Sequence, residues 1–257
     1  MSGTFGCFVK IVPRLTLLAL ASTWHFAATL SLVPLKDAIN SGRFGVITYA
    51  GVYVPWWRTD EYYKDSWHGT WKLDGGGALI NQSIHMVDML CDVMPPIESV
   101  MAFAATLGHP QIEAEDTAVA VLRYANKALG TIYGTTASWP GQFRRFEITG
   151  TKGTVIQVEN SFTVWQFVDE RPEDEQIRKK FGKISGGGGV ADPAAITHEN
   201  HRRNFKAFID ALESNPLLSC ESKKGGWISG REARKAVEVI LAIYKSAREQ
   251  KLIRLIR

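Results

Sequence analysis

The sequence predicts an α+β fold: a mainly antiparallel open sheet with helices packed on one face. Three observations predict it. Short apolar-rich runs follow one another from residue 98 to residue 168, divided by turn signals such as Asn126-Lys127 and Gly150-Thr151-Lys152-Gly153, a spacing that suits hairpins. A glycine-rich stretch, Gly75-Gly76-Gly77, opens an apolar-periodic segment that reads as a helix. Residues 198–212 and 229–249 repeat the helical period at the end of the chain.

In chain order, residues 1–14 carry Lys10 and Arg14, and residues 15–23 are apolar or small. A basic flank before a short apolar core is the pattern of a secretory signal peptide. Extended to Leu35, the run approaches a membrane span, interrupted by Trp24, His25 and scattered Ser and Thr. A third reading makes residues 29–45 the last helix of a preceding domain, with Leu35, Ala38 and Ile39 on one face and Ser41-Gly42 as the stop. Residues 1–33 are then an atypical apolar segment and residues 34–257 the domain proper. All three readings stay open.

Residues 44–56 read as a strand, with near alternation at Val46, Tyr49, Val52 and Val54. An aromatic excursion follows, holding Trp56, Trp57, Arg58, Tyr62, Tyr63, Trp67, His68 and Trp71. Such rings stack on sugar faces while polar neighbours bind hydroxyls, or they plug the top of a sheet. In the helix after the glycines, Asp74 is the expected cap. Asn81, His85 and Asp88 fall at spacings that share one face, and Leu79, Ile84, Val87 and Leu90 supply packing. The expected strands span 98–107, 117–124, 128–138, 143–149, 154–158 and 163–168. Residues 117–122 are apolar or small at nearly every position, which predicts a central strand covered on both faces. The charged stretch 169–183 and the run Gly186–Gly189 read as an exposed, mobile excursion, a lid or a solvated insertion. No Gly-Lys-Ser/Thr follows those glycines, so they are no phosphate loop. Of the closing helices, the first would bury Phe205, Phe208, Ile209 and Leu212, with His198 and His201 near its start. The second opens on a Ser229/Glu232 capping box and turns Val237, Ile240, Leu241 and Tyr244 inward.

Composition excludes several classes. A net charge of +4 over 257 residues, without a basic stripe, argues against nucleic-acid binding. Cys7, Cys91 and Cys220 are odd in number and widely spaced, which fits reduced thiols in a cytoplasmic protein better than a disulfide scaffold or a zinc site. If residues 1–28 are a genuine signal peptide, the protein is exported instead. Asn81-Gln82-Ser83 matches the glycosylation pattern, but a glycan there would block the helix face, so the match is read as chance. No metal site is expected, and no Gly-x-Ser-x-Gly elbow is present for a serine hydrolase.

The run from Trp71 to Gly77, then Asn81 and His85, resembles the signature helix of the Gfo/Idh/MocA dehydrogenases. The likeness extends through Glu115-Asp116-Thr117-Ala118, Pro140-Gly141 with Arg145-Phe146-Glu147-Ile148, Gly150 to Thr154, and the stretch from Arg234 to Ala247. Residues 36–45 are similar to the family's connection between its two domains. The resemblance implies the family's C-terminal, substrate-side domain, with a dihydrodipicolinate-reductase-like fold, and oxidation or reduction of a sugar or polyol with NAD or NADP. It implies His85 as catalytic base, a role a neutral imidazole suits at cellular pH. It also implies Asn81 as a hydrogen-bonding partner of the reacting hydroxyl. Many relatives carry aspartate there, which leaves Asp88 or a backbone carbonyl to orient the histidine. Arg58, Trp57, Trp67, Trp71 and Arg145 are the expected substrate contacts, and a homo-oligomer through the sheet face is the expected assembly. Neither a Gly-x-Gly-x-x-Gly turn nor a Glu-Lys-Pro segment occurs, so the cofactor site is expected outside this chain, in a Rossmann domain largely missing from it. The alternative reading is a non-catalytic oligomerisation or carbohydrate-binding domain.

Overall fold

A computed structural model describes residues 31–64, 67–183 and 230–255, together with residues 202, 206 and 209. Helix α1 (Leu32–Asn40) buries Leu32, Leu35 and Ala38 and ends at Ser41, whose hydroxyl donates to the Asp37 carbonyl at 2.6 Å. Strand β1 (Ile47–Pro55) and a single turn, α2 (Asp60–Tyr63), lead to a π-turn at Leu79–Ser83 that runs directly into α3 (Ile84–Val93). Then come β2 (Ile97–Ala105), β3 (Thr117–Tyr124), β4 (Leu129–Thr135), β5 (Arg145–Gly150), β6 (Gly153–Val158) and β7 (Ser161–Phe167). Helices α4 (Pro172–Phe181) and α5 (Gly230–Glu249) and the short β8 (Ile253–Arg254) follow. No helix among the described residues is long and apolar enough to cross a membrane.

The strands form one eight-stranded sheet in the order β7-β6-β5-β1-β4-β3-β2-β8. Only β1 and β4 run parallel; each other pair is antiparallel. The parallel pair arises because the chain leaves β1 through α3 and returns by the meander β2-β3-β4, whose last strand lies along β1. A second meander, β5-β6-β7, then extends the sheet from the other edge of β1. The expected mainly antiparallel open sheet is therefore present.

The pleat sends alternate residues to opposite faces. One face carries Ala50, Val52, Val54, Ala118, Ala120, Leu122, Ile132, Phe146 and Ile148, all buried, with α3 packed on β1 and α5 on β2. The opposite, outer face carries Phe103, Val119, Val121 and Leu129, all exposed. This corrects the expectation for β3. It is sixth of eight rather than central, and its burial alternates strictly. Apolar side chains occupy both of its faces, but the described residues supply a covering layer to only one. The same alternation corrects β1: Tyr49 turns outward and Val46, ahead of the strand, is exposed.

The charged stretch 169–183 is largely exposed, as expected, but it is ordered by a buried anchor. It folds as α4, whose Asp174 is fully buried. Arg43, on the turn after α1, grips that carboxylate at 2.7 and 2.6 Å, Trp165 donates its indole N–H at 2.6 Å, and the Arg171 backbone N–H donates at 2.8 Å. Burial alone would raise the Asp174 carboxyl, yet these donors hold it well below the usual carboxylate range. Ile177 and Phe181 pack on the core while the remaining charges face solvent. In α5 the buried positions include Ala236, Val239, Ile240, Ala242, Ile243, Tyr244 and Ser246; Leu241 is exposed, contrary to expectation. Residues 202, 206 and 209 are helical as expected, but Ile209 is half exposed rather than packed. The expectations for residues 1–30, Gly186–Gly189, His198, His201 and Ser229 lie outside the described residues.

Candidate functional site

The glycine-rich stretch brings backbone against backbone. A Cβ on Gly77 would stand 1.8 Å from the Glu115 carbonyl oxygen, so only glycine fits. That carbonyl accepts the Ala78 N–H at 2.9 Å, while the Glu115 carboxylate accepts the Gly77 N–H at 3.1 Å and the Leu79 N–H at 2.8 Å. The Tyr244 hydroxyl, arriving on α5, donates to the same carboxylate at 2.9 Å. Glu115 thus satisfies the first amides of the helix, which otherwise lack partners. Burial raises its pKa against the pull of those donors, and burial together with the neighbouring carboxylate raises the pKa of Tyr244.

Asp74, the expected cap, does something else. One of its carboxylate oxygens accepts the Gly69 N–H at 2.9 Å and the other accepts the Asn81 side-chain amide at 2.9 Å. Its role is to fix the Asn81 amide. The helix start is a π-turn, a device frequent at functional sites, and Gly134 of β4 lets the Ser83 side chain come close to the sheet. Asn81 and His85 are half-buried one turn apart, whereas Asp88 is buried.

Aromatic rings assemble around this turn. Gln82 donates to the Tyr62 hydroxyl at 3.3 Å. His68 lies 4.3 Å from the Tyr62 ring and stacks on Trp67 at 4.0 Å, and burial lowers its pKa. The buried Arg58 donates to the Trp57 carbonyl at 2.8 Å and sets its guanidinium 5.1 Å from the Trp56 ring and 5.5 Å from the Tyr62 ring. Trp71 donates its indole N–H to the Glu113 carbonyl at 3.1 Å and meets Tyr244 edge to face at 5.2 Å. The reading of the excursion as a plug over the sheet holds for part of it. Trp56 and Tyr63 are buried against the sheet, while Trp67 and Trp71 are exposed.

Of the sequence-predicted residues, Asn81 and His85 lie one turn apart on the helix, Trp67 and Trp71 flank Gly69 in the segment that Asp74 ties to Asn81, and Arg58 lies near Tyr62. Trp57 sits to one side, against His109 and edge-on to Trp139. Arg145 does not join them. It alternates with the buried Phe146 and Ile148 and therefore projects from the outer face, 4.3 Å over the Tyr53 ring and 3.3 Å from Glu147. There it lines a cavity of about 800 Å³ with Tyr53, Tyr133, Ser138, Gln142 and Phe143.

Sequence reasoning also missed a buried brace behind Arg58. His109 Nε2 lies 2.8 Å from the Arg58 carbonyl and its Nδ1 3.3 Å from Asp116. Burial opposes ionisation of Asp116, but the N–H groups of Leu107, Gly108 and His109 outweigh it and lower its pKa. The adjacent Glu115-Asp116 pair was the available signal, legible only as a motif.

Residues 33–156 match the family described as the GFO/IDH/MocA C-terminal domain. This chain carries a Gfo/Idh/MocA C-terminal domain. Levoglucosan dehydrogenase of Pseudarthrobacter phenanthrenivorans is 24% identical over 157 residues, covering 52% of this chain and 40% of that protein. Myo-inositol 2-dehydrogenase of Thermotoga maritima is 27% identical over 169 residues, covering 63% and 47%. The crystal structure of the WlbA dehydrogenase from Bordetella pertussis, in complex with NADH and UDP-GlcNAcA, superposes with a TM-score of 0.75 at 34% identity, covering 89% of this chain and 62% of that one. The chain therefore spans about half the length of the curated Gfo/Idh/MocA relatives it matches. A dinucleotide does not fit the glycine-rich helix start, because the Gly77 and Leu79 amides are already held by a buried carboxylate that would repel a pyrophosphate.

Proposed function

We propose that this chain is the substrate-side half of an NAD(P)-dependent sugar or polyol oxidoreductase, working with a nucleotide-binding domain that holds the cofactor. The observation that carries the reading is Asn81, its amide fixed by Asp74, with half-buried His85 one turn on, while Asp74 also holds the Gly69 backbone in the segment that exposes Trp67 and Trp71. Oxidation of a secondary alcohol removes the hydroxyl proton along with the carbon-bound hydrogen, and a neutral imidazole within hydrogen-bond reach accepts it. His85 is that base. Asn81, with one amide N–H committed to Asp74, offers its carbonyl oxygen to an adjacent hydroxyl. Trp67 and Trp71 supply stacking surface, and Arg58 and Trp57 shape the wall from behind. WlbA's bound UDP-GlcNAcA and the levoglucosan and inositol dehydrogenases support a polyhydroxylated ring as substrate, and WlbA's NADH supports NAD over NADP.

The domain is taken to run from residue 34 to residue 257. The exposed Phe103, Val119, Val121 and Leu129 favour a homo-oligomer through the outer face, with Arg145 serving there rather than at the substrate of its own copy. The test of the wall is equilibrium binding. Trp71→Ala and Trp67→Ala are expected to weaken sugar binding by about tenfold each, the scale of one lost ring-stacking contact. Undiminished affinity in both variants would remove the wall from the account.

A further inference from the structure

Two buried polar residues, Glu115 and Tyr244, hold the start of the helix that carries Asn81 and His85. We infer that Glu115 and Tyr244 are positioning residues for Asn81 and His85, resting on the reading of His85 as the base. Both side chains are almost wholly buried, at 4% exposure each. The two carboxylate oxygens of Glu115 are fully engaged: one takes the Leu79 N–H at 2.8 Å and the Tyr244 hydroxyl at 2.9 Å, the other the Gly77 N–H at 3.1 Å. The Tyr244 hydroxyl also lies 3.4 Å from the Gly77 nitrogen.

The glycines follow from this clamp. A Cβ on Gly76 would stand 2.3 Å from the Tyr244 hydroxyl, and one on Gly77 would strike the Glu115 carbonyl. Gly76 and Gly77 are glycine because the Tyr244 side chain and the Glu115 backbone press against them, and Gly75 because it sits at φ +82°. Tyr244 further supports Trp71 through its ring edge. The turn 71–74, which carries Asp74 and so the Asn81 amide, and the first turn of the helix bearing His85 therefore meet at one phenol and one carboxylate. Helix α5 packs along α3 and adds the Tyr244 hydroxyl at the helix's first turn, while Glu115, just ahead of β3, supplies the carboxylate that receives it. A displacement near 1 Å at a reacting group can cost about a hundredfold in rate, so a clamp of this kind acts on turnover more than on affinity.

The experiment compares Tyr244→Phe, which keeps the ring and deletes one hydroxyl, with Glu115→Gln and Glu115→Ala. It uses the protein joined to its NAD-binding half, with His85→Ala as the reference. Turnover is scored per folded molecule, well below each variant's melting temperature. The expected result is a kcat lower by about tenfold in Tyr244→Phe, with KM for the sugar within about twofold. Glu115→Gln should retain more activity than Glu115→Ala, because its amide oxygen still accepts. A second readout needs no activity: the His85 ring resonances of this chain alone shift in Tyr244→Phe.

If His85→Ala abolishes turnover while Tyr244→Phe and Glu115→Gln match the parent in kcat and in the His85 resonances, the inference fails and the functional reading stands. If His85→Ala leaves turnover intact, the functional reading fails. The ring resonances then decide whether the clamp positions that helix: a shift supports it and unchanged resonances overturn it. Should Glu115→Ala fail to fold, Tyr244→Phe alone carries the comparison.

Discussion

Alanine at two neighbouring glycines separates close approach from backbone strain. At Gly75 a Cβ meets nothing within 4 Å, but the residue sits at φ +82°, so Gly75→Ala costs only the strain of a left-handed L-residue, about 1 kcal/mol. At Gly77 the new Cβ would lie 1.8 Å from the Glu115 carbonyl oxygen, and ordinary contact begins at 3.4 Å, so one backbone or the other must retreat by about 1.6 Å. No hydrogen bond in the 2.8 to 3.1 Å range survives such a movement. The Ala78 N–H would lose the Glu115 carbonyl, and the Gly77 and Leu79 N–H groups would lose its carboxylate. A neutral bond contributes about 1 kcal/mol and a bond to a charged group about 1.5–3 kcal/mol. With partial relaxation Gly77→Ala is expected to cost about 3–5 kcal/mol. The assay is urea unfolding at neutral pH, with the slope checked so that the midpoint reports stability. A Gly77→Ala cost equal to or below that of Gly75→Ala would refute the close-packed helix start.

Other expectations follow from the same contacts. Asp174→Ala leaves the Arg43 guanidinium buried without its main partner and is expected to destabilise by about 3–5 kcal/mol, read by thermal or urea melts; a loss under about 1 kcal/mol would contradict the buried pair. Because the folded-state pKa of Asp174 is depressed, its contribution is complete above about pH 5 and is lost as pH falls through the lower, folded value. Stability of the Asp174→Asn variant should accordingly change less between neutral pH and pH ~3 than that of the parent. Val121→Glu puts a charge on the exposed outer face of β3 and should leave folding intact while lowering the sedimentation mass of any oligomer. An unchanged mass would move the interface elsewhere. Burial pushes the Cys91 thiol up to about 12, so peptide mapping after brief alkylation of the native protein should find Cys91 unmodified.

The sheet was legible because its determinants are local. Alternation located β1 to β7 to within a few residues but not the two-residue β8, and Asn126-Lys127 announced a turn that Lys127 completes at φ +71°. Asn81 and His85 were legible for the same reason, since i and i+4 on one helix are neighbours whatever the rest of the chain does. What stayed hidden depends on partners far away in sequence. The stretch 169–183 looks solvated by composition, and its helix docks because Arg43, 131 residues before Asp174, supplies the counter-charge. Asp74 looks like a cap because it precedes the helix, yet Glu115, which follows Leu79 by 36 residues, holds the amides. Tyr244 read as packing because nothing local shows where its hydroxyl lands. For β3 the sequence shows apolar residues on both faces, but whether a second layer covers them is decided by other elements or other chains. Arg145 fell into the wrong group because a strand residue's face depends on register, and shifting register by one residue exchanges the faces.

The central claim is that His85 is the base of a sugar oxidoreductase whose substrate half this chain provides. The most direct test joins the chain to its NAD-binding half and measures kcat for parent and His85→Ala at equal folded fraction. The account predicts a fall of about 10²–10⁴ with sugar affinity nearly unchanged. Equal turnover in the two proteins would contradict it.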